Sequence, residues 1–255
     1  MPLSEKIGRI LARNLSRERA ETAPRTTCRP EFLYRTIRPG DVLLVEGNSG
    51  FSLAIKYLTQ SSWSHAALYV GDAAASPSAG DAGALVEADV IDGVRSVPLS
   101  GYQYVHTRIC RPVGITADDI QKIIDYAVSR IGHQYDLRNI VDLARYLIKT
   151  PPVPARYRRR MLALGSGDPT RAICSSLIAE AFQSVRYPIL PEMEVIKQKE
   201  NIYAHCQKEI FHIRHHSLFA PRDFDVSPYF QVVKPTLEGG FDPYAVHWGD
   251  DDRRD

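Results

Sequence analysis

The sequence predicts an α+β domain in which an antiparallel β-sheet, open or closed into a barrel, packs against helices, preceded by an amphipathic helix. Three observations carry this. Short apolar runs bounded by Gly, Pro, Asn and Asp recur between residues 37 and 111. Apolar residues at helical spacing follow at Ile120, Ile123, Ile124, Ala127, Val128 and Ile131, and again at Ile173, Leu177, Ile178, Ala181 and Phe182. The chain has 255 residues, 44% of them hydrophobic and 24% charged, which is ordinary for one globular domain with a sizeable core.

In order, the first element is a helix with Leu3, Ile7, Ile10, Leu11 and Leu15 spaced among Lys6, Arg9, Arg13, Arg17 and Arg19. It has no continuous apolar run, so it is not a signal peptide, and the expected location is cytoplasmic. Packing on the domain is its expected fate, and peripheral contact with a membrane surface is the alternative. Residues 21–38 read as a connector, so residues 1–36 form an N-terminal unit, 37–235 the main domain and 236–255 an acidic tail with Asp250, Asp251 and Asp252. No stretch is long and apolar enough to span a membrane.

Within the main domain, Pro39-Gly40-Asp41 turns the chain into a strand, Val42 to Glu46. Phe51 to Thr59 reads as a helix, and Ser64 to Asp72 as a buried strand opened by His65. A Gly-, Ala- and Ser-rich loop leads to the strand Ala84 to Asp89, and two more strands, Val94 to Leu99 and Tyr102 to Arg111, complete an antiparallel meander. Thr116 caps a helix with Asp118 and Asp119 in its first turn and Gly132 at its end. A second helix is expected over 136–148. A long basic connection then reaches the helix of Cys174. Pro188 and Pro191 mark a turn, Pro221 to Asp225 another, and Tyr229 to Val233 a last strand.

Chemistry concentrates on three of these elements. Cys174 lies in the first turn of its helix, where the dipole and unpaired amides lower a thiol pKa and are placed to hold an oxyanion. His65, at a strand start, is a base for it. Glu87 stands mid-strand among apolar residues and needs a partner there, and Asp89 shares its strand face. Either acid is placed to orient the imidazole. Tyr69 shares the His65 face, and core packing is its expected role. His106 and His133 read as structural. Cys28, Cys110 and Cys206 lack the helix-start setting, and the irregular cysteine spacing predicts free thiols in a reducing compartment. His205, Cys206, His212, His215 and His216 match no common zinc-finger spacing, so no metal is expected. Net charge is +2, which excludes a global field for nucleic acid, and the cluster Arg156, Arg158, Arg159 and Arg160 reads as solvated surface.

Taken together, Pro39-Gly40-Asp41, Ser64-His65 with the strand end Tyr69-Val70-Gly71-Asp72, Val86-Glu87-Ala88 and the helix-start Cys174 resemble the YiiX/YebB-like group of NlpC-type, permuted papain-like cysteine hydrolases. This group is distantly similar to lecithin–retinol acyltransferase. Ala220-Pro221-Arg222-Asp223-Phe224 before the last strand also fits it. Ordinary papain-like enzymes place the nucleophile before the base, whereas here His65 precedes Cys174. The resemblance implies a circularly permuted papain-like fold, Cys174 as nucleophile, His65 as base and Glu87 as the orienting group, without a cofactor. It implies a hydrolase or acyltransferase acting on an amide, ester or thioester, with a small peptide, a peptidoglycan-type peptide or a lipid as acyl donor. A binding module that keeps the fold without catalysis is the alternative.

Overall fold

The computed structural model describes residues 28–74, 83–89, 92–134, 173–196, 208–212, 215–216 and 219–246. The predicted N-terminal helix, the helix expected over 136–148, the Arg156 to Arg160 cluster, His205, Cys206 and the acidic tail lie outside these residues. The elements are α1 (Pro30–Thr36), β1 (Val42–Val45), α2 (Gly50–Thr59), β2 (His65–Gly71), β3 (Ala84–Asp89), β4 (Gly93–Pro98), a 3₁₀ turn (Leu99–Tyr102), β5 (Thr107–Pro112), α3 (Ala117–Ser129), α4 (Ile173–Ser184), β6 (Glu192–Ile196), β7 (Lys208–His212), α5 (Pro221–Asp225), β8 (Phe230–Val233), α6 (Pro235–Glu238) and a 3₁₀ turn (Pro243–Ala245).

Local chemistry explains where these elements start and stop. The Ser49 hydroxyl accepts from Ser52 N at 3.1 Å to cap α2, and Thr116 accepts from Asp119 N at 3.1 Å to cap α3. At the hairpin between β3 and β4, Gly93 has φ +75, and a Cβ there would stand 2.3 Å from His133 O. That close approach lets Val94 N donate to His133 O and Gly132 N to Val94 O, which ties β4 to the end of α3.

The sheet is antiparallel, in the order β4-β3-β2-β1-β5-β8, and β6 and β7 form a separate pair. It stays open: among the described residues the edge strands β4 and β8 do not pair, so the barrel alternative falls away. The expected meander holds for β1 to β4, which lie adjacent and antiparallel in chain order. After β4 the chain makes the 3₁₀ turn instead of extending from Tyr102, and it enters the sheet as β5 on the far side of β1. Leu99, fully buried, anchors that crossing. Two further differences are local. The presumed connector contains α1, started by Pro30 at its first turn, and the presumed turn at Pro221 is the short helix α5.

Both faces of the sheet are covered. On one, Leu44, Ala66, Leu68, Val86 and Cys110 pack with Ile123 and Ile124 of α3 and Leu177, Ile178 and Phe182 of α4. On the other, Leu43, Val45, Ala67, Tyr69, Leu85 and Ile109 pack with Leu33, Ile37 and Leu99. Double coverage is why β1 reads as a continuous apolar run and not an alternating one. Asp41, 1% exposed, receives Arg111 Nε at 2.8 Å and Nη2 at 2.7 Å, and the same guanidinium donates to Thr36 O, locking α1 to β5.

The helix that carries Cys174 is held by aromatic packing at its far end. Phe182, fully buried, meets Phe230 edge-on at 5.1 Å and Tyr187 at 5.5 Å between ring centroids. Phe182→Ala is expected to cost about 3–5 kcal/mol in urea unfolding. A loss below about 1 kcal/mol would show that α4 is held elsewhere.

Candidate active site

Two sets of contacts fix the start of β2. Ser64 Oγ accepts from Gly47 N at 2.9 Å, so the β1–α2 turn and the β2 entry are tied together. Trp63, 3% exposed, donates through Nε1 to Asp225 Oδ2 at 3.0 Å, and the Arg108 guanidinium stacks over its ring and reaches Asp225 Oδ1 at 2.6 Å. His65 follows directly, paired across the ladder with Val45. α4 lies across β2 and β3 and so presents Cys174, in its first turn and 4% exposed, to the end of β2.

Three side chains proposed from the sequence therefore meet. His65 Nε2 lies 2.8 Å from Glu87 Oε2, and the Cys174 thiol hydrogen-bonds the same imidazole. Glu87 as a carboxylate only accepts, so Nε2 carries a proton and Nδ1 is left for Cys174 Sγ. Sγ also receives the Ala66 backbone N–H and the Ser175 hydroxyl. The Ala66 amide is available because the β2–β3 ladder begins only at Leu68↔Val86.

Asp89 is not part of this relay. It accepts from Asp92 N and stands 3.9 Å from Arg95. Sequence reasoning missed the other partners of Glu87. Arg95 donates from Nε to Glu87 Oε1 at 2.9 Å, and Tyr102 Oη donates to Oε2 in a short hydrogen bond. Arg95 was legible, since the Asp92-Gly93 hairpin sets the register Glu87↔Arg95. Tyr102 was not, because it comes from the 3₁₀ turn where a strand was expected.

Residues 36–146 match a family described as "Permuted papain-like amidase enzyme, YaeF/YiiX, C92 family". That match makes residues 36–146 similar to the permuted papain-like amidase family. The matched stretch holds His65, Glu87, Arg95 and Tyr102, and Cys174 lies downstream of it. Among solved structures, the chain is similar to the crystal structure of the metalloprotein yiiX from Escherichia coli O157:H7, at 16% identity and a TM-score of 0.45, over 77% of this chain and 96% of that one. No curated protein matches.

The electrostatics of this site follow from burial and pairing. Burial alone lowers the His65 pKa, but the facing Cys174 and Glu87 charges reverse this and hold the imidazole well above its ordinary value. Burial pushes the Cys174 thiol up, and the His65 charge, with the hydrogen bonds from His65, Ala66 and Ser175, brings it below its ordinary value. Glu87 is pushed up by burial yet held at about 2 by His65, Tyr102 and Arg95. The pair thus favours thiolate and imidazolium.

The other candidates separate from the site. Tyr69 packs in the second core, and His106 bonds Glu46 through Nδ1 at 2.9 Å. Cys110 is fully buried, and burial drives its thiol pKa well up. His215 stacks on His216, whose Nδ1 lies 2.9 Å from Glu180. Among the described residues no group of three or more His, Cys, Asp or Glu is placed to hold a metal ion, and no helix is long and apolar enough to cross a membrane.

Between pH 8 and pH 6 an ordinary thiol loses on the order of 100-fold of its thiolate. Cys174, its pKa lowered, should lose less than this in iodoacetamide labelling rate over that span, read by peptide mapping. His65→Ala should restore the steep dependence. A steep slope for Cys174 in the unmodified protein contradicts the ion pair.

Proposed function

We propose that this YiiX-like protein is a cysteine hydrolase or acyltransferase that works through an acyl-enzyme on Cys174. The family is that of a permuted papain-like amidase, which supports cysteine-hydrolase chemistry in general. The observation that carries the finer reading is the relay itself, in which one imidazole is engaged by a thiol on one nitrogen and a buried carboxylate on the other.

The Cys174 thiolate attacks the carbonyl carbon of an amide, ester or thioester, and the carbonyl π electrons move to oxygen. Amides at the start of α4 have no intrahelical acceptors and face the developing oxyanion. Collapse breaks the bond to the leaving group, which takes the proton held on His65 Nδ1. His65 then removes a proton from water, or from an acyl acceptor, as that nucleophile attacks the thioester. Glu87 keeps Nε2 protonated and stabilises the imidazolium throughout. A small peptide or lipid supplies the acyl group.

Incubation with activated acyl esters and peptide anilides, quenched in acid and read by intact mass and peptide mapping, tests this. An acyl adduct on Cys174 is expected, absent in Cys174→Ala. Glu87→Gln should keep the fold and lose up to about 10⁴-fold in turnover, roughly 5.5 kcal/mol in barrier, while Asp89→Asn stays close to normal. An adduct on another residue, or turnover that survives Cys174→Ala, would overturn the proposal.

A further inference from the structure

Glu87 is loaded with more donors than orientation of an imidazole requires. Its Oε2 is shared between His65 Nε2 and the Tyr102 hydroxyl, and Oε1 takes the Arg95 guanidinium through Nε and Nη2, both at 2.9 Å. A carboxylate whose charge is spread over three donors offers each less than it would offer one. Arg95 also places a fixed positive charge on the same carboxylate, at the oxygen that His65 does not use. Its outer side is tempered by Asp92, through Nη1, and by Asp89 at 3.9 Å. From α4, Cys174 is the ionisable group that faces His65.

We infer that Arg95 and Tyr102 are positioning residues that hold back the charge Glu87 presents to His65, so that the Cys174–His65 ion pair persists over a bounded span of pH. This rests on the proposed Cys174 chemistry. The sign follows from charge. Removing Arg95 or the Tyr102 hydroxyl leaves Glu87 free to bind the imidazolium more strongly, so loss of the imidazolium proton becomes harder. The upper end of the span should move up, while the lower end, where the thiol proton leaves to solvent beside an imidazolium already charged, should move up by less. Arg95 is 40% exposed, so screening keeps its share modest.

The pH profile of Cys174 alkylation by chloroacetamide, from about pH 4 to about pH 10, reads both ends without any substrate. Unmodified protein should show two inflections, one for ion-pair formation and one for loss of the imidazolium. In Arg95→Gln and in Tyr102→Phe the upper inflection should move up by about 0.5–1 unit and the lower one up by less. Arg95→Lys, which keeps the charge, should leave both nearly in place. A purely supporting role would slow alkylation and leave the inflections unmoved, and that result overturns the inference. So does downward movement of the upper inflection. A single inflection near the ordinary thiol value in the unmodified protein sinks the Cys174–His65 chemistry itself, and with it this inference.

Discussion

A carboxylate buried to 1% exposure inside a β-strand is the constraint on which the rest of the structure depends. Glu87 would cost several kcal/mol if it stood there ionised without partners. It is tolerated because three elements bring it donors: β2 through His65, β4 through Arg95 and the 3₁₀ turn through Tyr102. Each donor is set by backbone geometry. The antiparallel register puts Arg95 opposite Glu87, and the fully buried Leu99 fixes the turn that carries Tyr102. A stable negative charge behind His65 then makes a positive imidazole favourable, and a positive imidazole makes a thiolate favourable in front of it.

The two cores serve this arrangement in different ways. One packs α4 over β2 and β3, so the start of a helix meets the start of a strand. The other closes the opposite face with α1 and the crossing from β4 to β5. Cys174 and His65 come from chain segments more than 100 residues apart, each held by apolar packing on its own element. The ion pair therefore does not have to organise the fold, and the lowered thiol pKa is sustained against burial by the His65 charge, hydrogen bonds from His65, Ala66 and Ser175, and the helix start together.

Much of this was legible in sequence because local rules act locally. The helix start at Thr116, strands bounded by Gly-Asp pairs, and an acid in the apolar run Ala84 to Asp89 are short-range signals. His65 and Glu87 share a sheet face in the structure as period-two alternation on adjacent strands requires. Long-range choices were not legible. Alternation assigns faces within a strand but not strand order, so β5 beside β1, and not beside β4, had to come from the structure. The same gap hid Tyr102, whose role arises where the chain leaves the expected strand. Glu87 and Asp89 were equivalent by pattern, and only the positions of His65 and Arg95 separate them.

The central claim is a buried thiolate–imidazolium pair backed by an ionised carboxylate, and ¹⁵N NMR of histidine-labelled protein tests it most directly. The protein has eight histidines, so His65 is assigned from its missing signal in His65→Gln. Both His65 ring nitrogens should remain protonated well above the ordinary histidine pKa of about 6.5. In Cys174→Ala, with the thiolate gone, that titration should move down. A His65 that titrates near about 6.5 in both proteins would contradict the ion pair.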